Sequence, residues 1–361
     1  AMMALGVSSC DSFLTTPPLD QISEDQWWSD KSQTEMMVKG AYQYVYGPNE
    51  VVLRDCISDN ATHRDAKYKE VGNGTYTTQS AAVKDEWKYA SIAKLNYILE
   101  GIEKAKGQIS EEEYLRFNAE VRFIRAYNYA LVMDLYGNAA FTETVSAEMA
   151  LGYSRSQFFE YVERELKECA DLMAEPGKNT YGRADRVAAW NLLARIYLNA
   201  EVYTGTPRWD DAMTYAEKVI NNGYYHLNTT GATNPVTGEK YTGYQMLFLA
   251  DNNRNGAQYE NLLVGLTDGE TTKSYEGTNF LIQASYSNKV PTDNYAPSGA
   301  DNNWGKCIRL RKQLIDKFFT TKPAEAATLQ NMITAANDDR ALFFNKGMDI
   351  SVSDEGTDEN L

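Results

Sequence analysis

Two short stretches carry side chains in patterns that could do chemistry. Asp251-Asn252-Asn253-Arg254-Asn255-Gly256 sets side-chain oxygens at alternate positions ahead of a glycine, as in the first half of a calcium loop, where hard oxygen ligands surround the ion and glycine permits the sharp turn. The loop's last ligand should be a bidentate Glu, and Leu262 stands there. A full EF-hand is therefore rejected, a solvated turn is the plainer reading, and calcium held by Asp251, Asn253 and Asn255 with distant carboxylates stays open. The second stretch, Asp59-Asn60-Ala61-Thr62-His63-Arg64, offers acceptors, an amide, an imidazole and a guanidinium on what reads as an exposed loop. Such a set can satisfy the hydroxyls of a polar ligand, although an exposed charged loop is usually only solvated.

No catalytic constellation accompanies them. The chain has no Gly-x-Ser-x-Gly, no His-Glu-x-x-His, no phosphate loop and no Gly-x-Gly-x-x-Gly, the patterns by which nucleophile elbows, zinc sites and nucleotide folds are known. With only His63 and His226, histidine-based acid–base or zinc chemistry has little material. Fifty acidic residues supply many carboxylate pairs for glycoside hydrolysis, but sequence spacing does not reveal the separation that matters. The reading is of a binding protein and not an enzyme, with a glycoside hydrolase as a distant alternative.

Charge and aromatic content narrow the ligand. A formal charge of -15 disfavours nucleic acid and anionic surfaces as partners. The 25 Tyr and six Trp combine flat apolar faces with hydrogen-bonding edges, suited both to a core and to surfaces that hold polar ligands. Cysteines stand at 10, 56, 169 and 307, too few for a disulfide scaffold. Cys10 follows an apolar run ending in Gly-Val-Ser-Ser and resembles the lipid-bearing cysteine of a bacterial lipobox, with residues 1–9 the remnant of a signal peptide. Residues 10–23, with Pro17 and Pro18, read as an extended tether. Among Cys56, Cys169 and Cys307 at most one bridge can form. No other run approaches the ~18 apolar residues of a membrane span.

The elements that must position these residues are mostly helices. Ser23 with Gln26, Ser32 with Glu35, Ser110 with Glu113 and Ser154 with Gln157 match the capping-box spacing. Helices are expected near 24–29, 33–46, 82–106, 111–136, 155–174, 184–203 and 209–222. In 111–136, Ala119, Ala126 and Ala130 allow close approach while Phe123, Tyr127, Leu131 and Leu135 fill space, and Gly137 suits the left-handed position that ends a helix. Helices 184–203 and 209–222 alternate small and large residues across Gly205-Thr206-Pro207, like a tetratricopeptide unit with a lengthened turn. The fold class is mostly α: a tetratricopeptide-like helical repeat over 24–226, then a loop-rich region over 227–361 with short strands and a last helix near 308–319.

The stretch Ala119–Phe141 resembles the signature helix of the SusD/RagB family, surface glycan-binding lipoproteins that sit over outer-membrane transporters. Gly182-Arg183-Ala184-Asp185, Leu198–Gly205, Phe248–Asn253, Asn303-Trp304 and Asp338-Asp339-Arg340-Ala341 are similar in order and spacing to the starch-binding branch. The resemblance implies a lipid-anchored cell-surface protein of the outer membrane that captures an oligosaccharide and delivers it to a SusC-like TonB-dependent transporter. In the starch-binding relatives an arc of aromatics stacks on the glucan, and two of its members fall on Tyr275 and Trp304. The loop that holds a tryptophan of that arc has none here between Cys56 and Tyr76, which leaves a glycan expected and starch in doubt. Asp59, Asn60, His63 and Arg64 in that loop are its polar candidates. Family members continue well beyond residue 361, so a chain truncated at both ends is expected. The rival reading is a helical-repeat module that binds protein, with the aromatics only packing.

Overall fold

The computed structural model describes residues 27–45, 48–58, 60–63, 65–146, 149–266, 308–319 and 329–341. Its organising element is the helix Glu111–Leu135, here α6. It begins on a capping box in which Ser110 and Glu113 satisfy each other's backbone donors, with Glu111 and Glu112 also in the first turn, where carboxylates meet the positive end of the helix. It ends at Gly137, whose φ of 77° lies in the left-handed region. Between Ala119 and Met133 nearly every residue is buried, polar ones included. This goes beyond the one apolar face expected, because helices pack on several sides of it.

Before α6 come α1 (Lys31–Ala41), α2 (Pro48–Ile57), strand β1 (Ala61–His63), α3 (Ala66–Gly72), α4 (Ala81–Asp85) and α5 (Tyr89–Lys104). After it, β2 (Ala139–Phe141) and β3 (Leu151–Tyr153) form an antiparallel hairpin. Next come α7 (Arg155–Leu172), α8 (Arg186–Leu198), α9 (Ala200–Thr204) and α10 (Trp209–Ile220). The helices stack in order, α5 on α6, α6 on α7, α7 on α8 and α8 on α10, as a tetratricopeptide-like scaffold requires. The remaining described elements are short: β4 (Ala232–Thr233), β5 (Lys240–Tyr241), α11 (Gly243–Met246), β6 (Ile308–Leu310), α12 (Lys312–Phe318) and α13 (Leu329–Ala336).

The largest core runs from Val38 and Ile92 through Phe123 and Tyr129 to Leu193 and Tyr197. Buried charge is paired inside it. Arg183 forks onto Glu120 at 2.8 and 2.9 Å, and the Tyr42 hydroxyl donates to the same carboxylate at 2.6 Å. Arg122 holds Glu165 at 2.7 and 3.0 Å, with Arg125 at 3.3 Å.

Several expectations are corrected. Asp30, not Ser32, caps α1, because its carboxylate accepts from the Ser32 and Gln33 amides. The helix expected over 82–106 is two, broken at Glu86–Lys88. That expected over 184–203 breaks at Asn199. Residues 56–76, expected as a loop, contain β1 and α3. The helix expected near 308–319 starts at Lys312, Ile308–Leu310 being a strand, and it is not the last, since α13 follows it. The expected helix at 24–29 falls largely outside the described residues. Cys56 and Cys169 are buried free thiols, and burial raises them to about 11 and about 12, far from the range of reactive thiolates.

Candidate functional site

Residues 60–63 are held by a strand pairing between segments about 250 residues apart in sequence. β1 lies antiparallel to β6, with Ala61 opposite Leu310, Thr62 opposite Arg309 and His63 opposite Ile308. Arg311 locks the end of the pair: its amide donates to the Asn60 carbonyl at 2.9 Å and its Nε to the Ala61 carbonyl at 3.1 Å. Beneath lies a second, smaller core of Val52, Leu53, Cys56, Tyr68, Val71 and Ile308. β1, α2 and α3 are thus one unit, though no periodicity marks a three-residue strand.

His63 is not presented to solvent, which corrects the expectation of an exposed loop; it is 3% exposed. Its Nδ1 accepts from the Asp65 amide at 3.0 Å, which assigns the proton of the neutral ring to Nε2. The ring meets Tyr68 edge-on, centroids 4.6 Å apart. Asn60 is half-buried, and its side chain bonds the Asp55 carboxyl, which burial nevertheless raises above the usual range. Asp59, Arg64, Tyr275, Trp304 and Cys10 lie outside the described residues.

A chain of contacts leads from His63 to an aromatic surface absent from the sequence reading. Lys67 stands 4.8 Å above the Tyr68 ring and pairs with Asp85 at the end of α4. Two residues on, Trp87 is 44% exposed, braced by Tyr89 at 4.7 Å and edge-on by Tyr136 at 4.7 Å. An indole half in solvent and held by two tyrosines offers a flat apolar face beside ionic groups, the combination a sugar ring needs. Its signal was hidden by the continuous helix expected over 82–106, which absorbed Trp87 into a helix interior.

The stretch 251–256 is a self-bonded turn. The Asn255 amide donates to the Asp251 carboxylate and the Met246 carbonyl, both at 3.0 Å, and its oxygen accepts from the Ala257 amide. Asn253 is exposed and Gly256 has φ 109°. The side-chain oxygen of Asn255 already accepts one hydrogen bond from within the turn, in keeping with the solvated turn that is the plainer reading of this stretch. Among the described residues no group of three or more His, Cys, Asp or Glu is placed to hold a metal, and no helix is long and apolar enough to cross a membrane.

Comparison with known proteins agrees with the helical stacking. The profile of a SusD-like family described as "Starch-binding associating with outer membrane" matches residues 19–198. The starch-binding protein SusD of Bacteroides thetaiotaomicron is 30% identical over 337 residues, covering 84% of this chain and 56% of that protein. A solved SusD-like protein of Bacteroides fragilis superposes with a TM-score of 0.62 at 22% identity, covering 86% of this chain and 58% of that one. A SusD superfamily protein of Bacteroides vulgatus gives 0.59 at 18% identity, covering 82% and 59%. The chain thus spans little more than half the length of these relatives.

Proposed function

The chain belongs to the SusD family, and from that premise we propose that it is a cell-surface, lipid-anchored protein that captures an oligosaccharide and delivers it to a SusC-like TonB-dependent outer-membrane transporter. In this reading Cys10 carries the lipid, residues 24–226 are the scaffold, and residues 227–361 contribute the ligand-binding loops. The protein performs no reaction. Flat aromatic faces, those of Trp304, Tyr275 and Trp87, take the apolar faces of sugar rings, while Asn60, Asp59 and Arg64 bond hydroxyls that would otherwise be costly to bury. His63 acts from within, fixing the turn toward Asp65.

One observation carries the reading: the pairing of His63 with Ile308. Trp304 precedes Ile308 by four residues in the sequence. The pairing supports assigning Trp304 and the candidates of 59–64, about 240 residues apart in sequence, to one ligand edge. The sugar and its linkage follow from a glycan array probed with the full-length protein. The proposal expects selective retention of a neutral oligosaccharide, weakened by Trp87→Ala; an array with no glycan above background refutes it. A membrane fraction whose intact mass shows no diacyl group refutes the role given to Cys10.

A further inference from the structure

A cleft of about 450 Å³ opens on the face of the scaffold where α2, α6 and α8 meet the segment 260–263. A second hollow, sharing Arg54, Tyr127, Leu192 and Arg195 with the first, continues it toward Tyr203, whose hydroxyl donates to Asp134 at 2.8 Å. The volume lies within the ~300–1,000 Å³ of small-molecule sites.

The chemistry of the wall is specific. Glu50 is 5% exposed and lines the cleft. One of its oxygens takes the Arg54 guanidinium at 2.7 Å and the Tyr127 hydroxyl at 3.3 Å. The other, Oε2, is buried with no hydrogen-bond partner among the described residues. An unpaired buried acceptor is unfavourable, a cost that a donor from a bound molecule removes. Burial also pushes this carboxyl above its ordinary range. Asn191 and Arg195 stand on the α8 wall and offer donors, with an amide acceptor, at the same opening.

The charges select the occupant. An anion would face Glu50, Asp55 and Glu260, and a cation would face Arg54 and Arg195. A hydroxyl donates a hydrogen bond to a carboxylate and accepts one from a guanidinium or amide, so a neutral polyol answers every group present. We propose that this cleft is a second saccharide site, binding one or two neutral sugar units with a ring hydroxyl donated to Glu50 Oε2 and others held by Asn191 and Arg195. It rests on none of the residues assigned to the β1–β6 edge.

Titration calorimetry with neutral maltohexaose, cellohexaose, xylohexaose and mannohexaose, and with hexagalacturonate as the charged control, tests the proposal on the full-length protein. In the Trp304→Ala background at least one neutral hexasaccharide still binds, and Asn191→Ala or Arg195→Ala weakens that binding at least tenfold with no change in melting temperature. Glu50→Gln, which keeps the shape and reverses part of the hydrogen bonding, weakens it as well. If Trp304→Ala leaves the wild-type affinity unchanged, the edge reading fails and the cleft substitutions still decide the second site. The proposal is overturned if no neutral probe binds in a way that Asn191→Ala and Arg195→Ala diminish, or if hexagalacturonate binds in preference.

Discussion

Glu165 shows how this chain manages charge inside a helical stack, and it yields a pH prediction. Burial by itself would raise its carboxyl, but the two hydrogen bonds from Arg122 and the nearby Arg125 guanidinium hold it below its ordinary value of 4.5. A carboxylate lowered in the folded state contributes stability that is present above its unfolded pKa and lost as pH falls through the folded one. Glu165→Gln leaves Arg122 and Arg125 without their buried counter-charge and should cost about 3 kcal/mol at pH 7. That difference from wild type should close as the pH falls below about 4.5. Denaturation at pH 7 and pH 3.5 measures it, and a gap that widens on acidification contradicts the assignment. At this scale the sequence was only partly legible. His63 and Arg64 read as an exposed polar loop because the feature that buries His63, a strand partner at Ile308, lies far outside any local window. Trp87 was missed for the opposite reason: strong helical periodicity on both sides hid the break that exposes it.

Gly101, in the interior of α5, separates propensity from packing. Glycine in a helix is worse than alanine by ~0.5–1 kcal/mol, so Gly101→Ala should stabilise if the helix alone mattered. A Cβ there would stand 2.0 Å from the Trp28 ring, and Trp28 is almost wholly buried, so the indole must move. Overpacking of this kind costs ~1–3 kcal/mol and wins. We expect Gly101→Ala to lower stability by about 2 kcal/mol in a denaturant titration; a rise would mean that Trp28 does not seat on α5. Long helices were the legible elements, because the capping boxes at Ser110 and Ser154 and the glycine at 137 act locally. Short elements were not. α3 has about two helical turns flanked by Asp65 and Asn73, and β1 has three residues, so both owe their form to the small core beneath them and not to propensity.

For the whole molecule, the last long helix of the stack leaves an apolar face open. Trp209, Met213 and Ile220 on α10 are 60%, 58% and 74% exposed, at spacings that put them along one side. In stacked repeats such a face is covered by the next unit or by a partner, and it is the observation that favours the protein-binding reading. The 361-residue chain should bind an environment-sensitive hydrophobic dye, and Trp209→Ser with Met213→Ser should reduce that binding at least twofold; undiminished fluorescence would place the apolar surface elsewhere. The helical class and the family were legible because both reside in the long helices before residue 225, whereas the proposed ligand edge depends on a strand pair that no local pattern foretells. The central claim is that this edge holds sugar through Trp304. Calorimetric titration of the cognate oligosaccharide into the Trp304→Ala protein, paired with a melting curve, tests it most directly. The account predicts that affinity falls at least tenfold while the melting temperature holds. Unchanged affinity beside a loss of ~3–5 kcal/mol in stability, as for a core tryptophan, would contradict it.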